Sequence, residues 1–335
     1  MSAKIALIEY AFPDKELSND DLKLIFPDYD FTKFEEKIGI QTRYVVDENE
    51  TALDLAIRAC EKLFKKTDKA DIDYILYCTQ SPEYFLPTTA CILQDRLGLR
   101  NEIGALDFNL GCSGFTYGVS LANALISSGQ AKNVVLVTAE TYSKVIHPKD
   151  RTNRSIFGDA AAATLISCAE SNKIFKFKSG TDGSGYDKLI IKNGCSRFPF
   201  DMNAPEIDYG SGNIYTENNL YMNGPEVFNF TLKIIPDFVK EILLDNQIEV
   251  SEVDQFIFHQ ANSYMLDFLR KRLKIDKNNF YNNLRIGGNT VSSTIPIALK
   301  NYSQAYNGEE LLACIVGFGV GLSWSGGLIK INNKL

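Results

Sequence analysis

The chain runs to 335 residues, 45% apolar and 23% charged, with a formal net charge of -7 and a pI near 5.1. That length supports a large core and about two domains, and the composition is that of an ordinary soluble protein. No stretch approaches ~18 uninterrupted apolar residues, and there is no long basic run or Cys/His finger spacing. A membrane span and a nucleic-acid partner are therefore both unexpected, although an acidic chain can still meet an acidic partner through a local basic patch.

In chain order, "MSAKIALIEYAF" has one lysine, a short apolar run and no small-residue cleavage site. It reads as a first strand, not a signal peptide, and the expected location is cytoplasmic. Residues 50–66 place apolar residues at helical spacing behind Thr51 as a cap. "DIDYILYCTQS" reads as a buried strand, and Pro87 and Thr88 open a helix that Gly98 stops. "ALDFNL" is a strand, "SGFTYGVSLANALISSG" a helix ending near Gly129, and "NVVLVTAE" another strand. After a turn at Phe157–Asp159, "AAAATLISCAE" returns to the sheet.

The chain divides into halves 1–172 and 173–335. Gly180 to Asn219 is rich in Gly, Asn, Asp and Ser and reads as irregular or lid-like. From Tyr221 order returns: a helix with a break or bend near Pro236, the strand "EVDQFIFHQAN", the amphipathic helix "SYMLDFLRKRLKI", and two final strands around a Gly-rich turn. "DIDYILYCTQSPEYFLPTTACILQDRLGL" echoes "EVDQFIFHQANSYMLDFLRKRLKI" in outline. Aligning Asp73 with Asp254 sets Cys78 opposite His259, as in a duplicated α/β unit.

Seven cysteines (Cys60, Cys78, Cys91, Cys112, Cys168, Cys195 and Cys314) at irregular spacing argue against a disulfide framework, and two histidines exclude a multi-histidine metal site. Cys112 follows a strand and precedes a helix, between Gly111 and Gly114. A helix N-terminus there would favour thiolate, the nucleophilic form; a buried small hydrophobe fits the same residue equally well. Covalent catalysis needs a proton handler, and His259 is the leading candidate because it ends an apolar strand, where α/β sheets concentrate ligand-facing groups. The alternative is a hydrogen-bonded polar strand end. His147, in the polar run "HPKDRTNR", reads as a surface loop residue. Asn289 in "RIGGNTVSSTIP" can donate and accept uncharged, or simply make a turn. Gly317, Gly319 and Gly321 could bring a backbone N–H to the sulfur.

Five segments, "GCSGF", "FGDAAAA", "HQAN", "GGNTVSSTIP" and "GFGVGLSW", in this order and spacing resemble the thiolase superfamily, and within it the 3-oxoacyl-ACP synthase III family, over essentially the whole chain. The resemblance implies an α/β protein of the thiolase-like duplicated five-layer αβαβα fold, assembled as a homodimer. It implies no bound cofactor, with acyl-CoA and malonyl-ACP (or malonyl-CoA) as substrates and acyl carrier protein as a partner. Cys112, His259 and Asn289 map onto the family triad: Cys112 takes the acyl group, and His259 and Asn289 stabilise the enolate as carbon dioxide leaves. The N–H groups of Cys112 and Val320 would form the oxyanion hole.

The resemblance also implies that Arg151 packs beside the CoA adenine. Lys37 stands where the family has a phosphate-facing arginine, and Asn262 joins the CoA and phosphopantetheine contacts. Leu86 falls in the region that shapes the acyl pocket, which the partner subunit would complete. Two positions depart from the family: Lys33 replaces the tryptophan that stacks on the adenine, and Tyr264 replaces an arginine at the phosphopantetheine entrance. They point to a specialised-pathway branch. Arg270, Lys271 and Arg272 form a basic strip able to receive an acidic carrier; without the resemblance they read as a solvated helix face. An acyltransferase acting on oxygen or nitrogen without decarboxylation is the alternative activity. A hydroxymethylglutaryl-CoA synthase would need an acidic base, for which Glu83 is a weak match. A non-catalytic scaffold is disfavoured by the complete triad.

Overall fold

A computed structural model describes residues 2–333 and 335. Its frame is two mixed sheets. The first contains β1 (Ser2–Ala11), β2 (Tyr74–Cys78), β3 (Gly104–Phe108), β4 (Asn133–Glu140) and β5 (Ala160–Ala169) in the order β1-β5-β4-β2-β3. The second contains β6 (Ile174–Thr181), β7 (Gln255–Phe258), β8 (Glu310–Gly319) and β9 (Ser323–Asn332) in the order β7-β8-β9-β6. In the first, β2 runs parallel to β3 and β4, whereas β5 is antiparallel to both β4 and β1. The second repeats this pattern: β7 is parallel to β8, β9 is antiparallel to β8 and β6, and a parallel bridge from Phe256 to Phe280 stands where β3 lies in the first.

The echo in the sequence therefore has a structural counterpart, and the aligned aspartates make equivalent bonds. Asp73 accepts the N–H groups of Lys132 and Asn133 at 2.7 and 3.1 Å and so caps the start of β4. Asp254 accepts the Leu312 N–H at 2.7 Å at the start of β8.

Six helices complete five layers: α1 (Ala52–Phe64), α2 (Thr89–Arg96), α3 (Gly114–Ser127), α4 (Gly224–Asp245), α5 (Ser263–Arg272) and α6 (Thr294–Ala305). Strand residues alternate between faces, so Val134 and Leu136 of β4 meet Phe115 and Val119 of α3, while Val135 and Val137 meet Leu55 and Ala59 of α1. Likewise Ala313 and Ile315 of β8 face α3 and α6, and Cys314 and Val316 face α4 and α5. The central helices α3 and α6 are thus covered by a sheet on either side. Each fully buried Leu, Ile, Val or Phe contributes about 1.5–3 kcal/mol.

Thr51 caps α1 through a reciprocal capping box with Asp54. Of the break or bend expected near Pro236, the break is absent: α4 continues through it, because Ile235, Phe238, Val239 and Ile242 bury one face and outweigh the roughly 3 kcal/mol cost of an interior proline. Three short helices, Asn19–Ile25, Phe31–Ile38 and Arg151–Ile156, went unrecognised in the sequence; at six to eight residues they show too few turns for periodicity. Between Gly180 and Asn219 the backbone is mostly turns, with small paired strands such as Ile207–Asp208 with Ile214–Tyr215. His147 lies in a loop, its Nε2 3.6 Å from a Glu206 carboxylate oxygen. Among the described residues no helix is long and apolar enough to cross a membrane.

Replacing Asp73 or Asp254 by Ala strands backbone donors and is expected to cost about 1–3 kcal/mol each, read by chemical denaturation. Asparagine, which keeps an acceptor oxygen, should cost less at both positions.

Candidate active site

Cys112 sits in the turn between β3 and α3, closed by a 2.8 Å bond from the Gly114 N–H to the Gly111 carbonyl. The chain can pass here only with small residues. A Cβ on Gly114 would lie 2.2 Å from Cys78 Sγ, one on Gly317 2.7 Å from the Cys112 carbonyl oxygen, and one on Gly319 2.9 Å from Cys112 Sγ. β8 therefore lies flush against the cysteine, and just beyond its end the Val320 N–H faces the sulfur, as does the N–H of Cys112 itself.

These donors do not leave a resting thiolate. Burial, reinforced by the Glu140 carboxyl, pushes the thiol up to about 12 against the pull of the two N–H groups. The backbone donors at this turn do favour thiolate, as their place before a helix suggests, but desolvation outweighs them.

His259 follows β7, 2% exposed, its N–H bonded to the Val316 carbonyl at 2.8 Å and its ring edge-on to Phe318. Burial depresses its pKa to about 3, so the imidazole is neutral at physiological pH. Nδ1 stands 2.7 Å from the hydroxyl of Thr294, which in turn lies 3.1 Å from the Val291 carbonyl oxygen. Asn289 follows two glycines at φ +97° and +63°, a turn that L side chains rarely adopt. Its backbone bonds to Ile156 and Gly158, and its Oδ1 accepts the Val291 N–H at 2.9 Å. That bond orients the amide and leaves Nδ2 as a donor.

Cys112, His259 and Asn289, from both halves of the chain, open onto one cavity of about 440 Å³. Its walls are largely apolar, including Phe157, Leu189, Met222, Phe228 and Phe318, and among the described residues no carboxylate lines it.

Lys37 and Asn262 also line the cavity; Asn262 caps α5 by accepting the Met265 N–H at 2.8 Å. Arg151 does not. Its guanidinium lies over the Tyr29 ring at 4.0 Å, while Lys33 pairs with Asp30 at 3.2 Å on the exposed surface. The aromatic neighbour of Arg151 is thus Tyr29, which itself packs edge-on against Phe31 at 5.0 Å and whose pairing with a residue so remote in the chain offers no sequence signal. Tyr264 stacks on Phe228 and carries the Lys37 ammonium 4.9 Å above its ring. Leu86 is 74% exposed, on a loop outside the cavity of its own chain. Of the basic strip on α5, Arg270 and Lys271 both pair with Asp267, at 2.8 and 2.6 Å, which leaves Arg272 as the member of the strip without that partner.

Sequence reasoning overlooked Glu140. It ends β4, fully buried, held by the Gln80 N–H at 3.0 Å and by hydroxyls of Ser81 and Ser292 at 3.3 and 2.9 Å. A charged residue ending an apolar strand is the signal that singled out His259, and it applied equally here.

Two family models match: 3-oxoacyl-[acyl-carrier-protein (ACP)] synthase III over residues 106–183, and the C-terminal part of that family over 243–331. A beta-ketoacyl-[acyl-carrier-protein] synthase III of Clostridium perfringens is 38% identical over 304 residues, covering 88% of this chain and 89% of its own. The chain belongs to the 3-oxoacyl-ACP synthase III family. A crystal structure of a 3-oxoacyl-(acyl-carrier-protein) synthase III superposes with a TM-score of 0.96 at 42% identity, over 99% of this chain and 100% of the other. A Burkholderia xenovorans 3-oxoacyl-(acyl-carrier protein) synthase gives 0.90 at 33%, over 99% and 95%. This synthase III homologue is therefore a transferase-class enzyme of lipid metabolism with the thiolase-like αβαβα fold, and its chemistry is of the condensing, acyl-transferring kind.

Burial raises the Glu140 carboxyl to about 8 from an ordinary 4.5. A raised folded pKa means that stability is fully present below 4.5 and is lost as pH rises through about 8. Glu140→Gln removes that loss. The difference in Tm between variant and wild type should grow in favour of the variant from pH 4.5 to 8.

Proposed function

We propose that this enzyme condenses an acyl-CoA primer with malonyl-ACP, through an acyl group on Cys112, releasing carbon dioxide and a 3-oxoacyl-ACP. The observation that carries the reading is the convergence of a thiol, a neutral imidazole and an oriented amide on a cavity without carboxylates. In the first step His259 takes the thiol proton, the sulfur attacks the acyl thioester, and the proton passes to the departing CoA sulfur. The N–H groups of Cys112 and Val320 are the donors for the oxyanion.

In the second step malonyl-ACP enters past Lys37 and Asn262. Loss of carbon dioxide leaves an enolate whose oxygen accepts from His259 and Asn289 Nδ2. The carbanion attacks the acyl-cysteine carbonyl, and the cysteine leaves as thiolate. Neutral donors suit this site because a carboxylate would repel the developing charge.

The nucleotide end of CoA would lie toward Arg151, and an acidic carrier toward α5, where Arg270, Lys271 and Arg272 offer the strip and Arg272 its one charge not taken by Asp267. Homodimerisation is supported by the unpaired outer edge of β3 and by the exposed Tyr84, Phe85 and Leu86, a loop able to complete the acyl pocket of the partner subunit.

A panel of acyl-CoAs, with and without malonyl-ACP, tests the reading by intact protein mass and product mass. Cys112→Ala should form no adduct. Asn289→Ala should still acylate but lose condensation by about 100-fold or more, whereas His259→Ala, which removes the base of the first step as well, should lose both. Equal loss of both steps in Asn289→Ala, or an adduct that persists in the presence of malonyl-ACP, would contradict it, the latter favouring acyl transfer to oxygen or nitrogen.

A further inference from the structure

We propose that Thr294 is a positioning residue that sets which ring nitrogen of His259 carries the proton, allowing one neutral histidine to serve as base in acylation and as donor in condensation. The inference rests on the two-step reading above. Thr294 opens α6 and is 3% exposed, so bulk water does not compete for its hydroxyl. Its oxygen lies 2.7 Å from Nδ1 of His259 and 3.1 Å from the Val291 carbonyl oxygen.

A hydroxyl has one proton to give and lone pairs to accept. With that proton on the Val291 carbonyl, the oxygen accepts from Nδ1–H, and Nε2 presents a lone pair. This is the base needed to take the Cys112 proton. With the hydroxyl turned toward Nδ1, the ring proton must sit on Nε2, which becomes a donor. The Val291 carbonyl also accepts from the ring, and the second arrangement costs it the hydroxyl as well, so the first is the resting one.

The enolate needs the second. Burial keeps the ring neutral, with a pKa depressed to about 3, so a lasting imidazolium is not the donor. A neutral ring donates into the cavity only as Nε2–H, and that tautomer requires a donor at Nδ1. The nearby Val291 N–H is already committed to Asn289 Oδ1 at 2.9 Å. The Thr294 hydroxyl is the group placed to provide it.

Protons balance over the cycle. Acylation moves one proton from Cys112 Sγ through Nε2 to the departing sulfur and returns the ring to neutrality. The tautomer then changes by exchange of a ring proton with water. The thiolate released by condensation takes its proton from water.

The chain has two histidines, so nitrogen-15 histidine labelling, with His147→Asn to assign the signals, reads the His259 tautomer directly. In the wild type the ring nitrogens should show exchange between both tautomers, shifting toward Nε2–H once Cys112 is acylated. Thr294→Val, nearly isosteric, should hold Nδ1–H and lower condensation about 100-fold more than acylation; Thr294→Ser should restore both the spectrum and the ratio of rates. A wild-type ring locked in one tautomer before and after acylation, or Thr294→Val condensing at the wild-type ratio, would overturn the proposal. Should Thr294→Val not fold, Thr294→Ala, which also lacks the hydroxyl, is read in the same way against Thr294→Ser. If the wild type acylates but never releases carbon dioxide, the two-step reading fails separately, and the spectra still judge the tautomer.

Discussion

The close approach of the Gly317–Gly319 backbone to the Cys112 turn is the constraint on which the rest of the site depends. It joins the end of a strand in the second sheet to the first turn of a helix leaving the first sheet, at distances that exclude a Cβ. Because the contact is backbone against backbone and sulfur, it cannot relax by a rotamer change. The central helices are held between the sheets by apolar side chains on both sides, and the turns that carry Cys112 and Asn289 inherit that rigidity. Asn289 is fastened in the same manner, its backbone bonded to Ile156 and Gly158, so groups from distant parts of the chain share one cavity without a flexible link between them.

Desolvation then governs the electrostatics. Burial raises Cys112, lowers His259 and raises Glu140, and all three shifts favour the neutral form. A site neutral at rest, lined by hydrocarbon and furnished with oriented N–H donors, suits chemistry in which negative charge appears only transiently. Hydroxyls carry much of the fine adjustment: Ser292 on Glu140, and Thr294 between His259 and Val291.

The charged groups on and outside the cavity wall have a different character. Tyr29 covers Arg151, Tyr264 lies between Phe228 and Lys37, and Asp267 neutralises two of the basic residues of α5. Charge counted along the sequence overstates what this surface offers an acidic ligand, because exposed ion pairs formed within one helix face are spent locally.

Much of the frame was legible in the residues themselves. Apolar periodicity located the strands and long helices, Thr51 announced its cap, paired glycines marked the turns at Cys112 and Asn289, and the order of five short segments pointed to the fold and singled out Cys112, His259 and Asn289, which the structure brings to one cavity. These signals are local, each set by neighbours a few positions away. The protonation of Cys112 and His259, the burial of Glu140, the meeting of Arg151 with Tyr29, the loss of Arg270 and Lys271 to Asp267, and the placement of Leu86 outside its own cavity were decided by tertiary structure. Solvent exclusion and pairing depend on groups remote in the chain, and in this fold those groups meet only when two sheets close on a shared layer of helices.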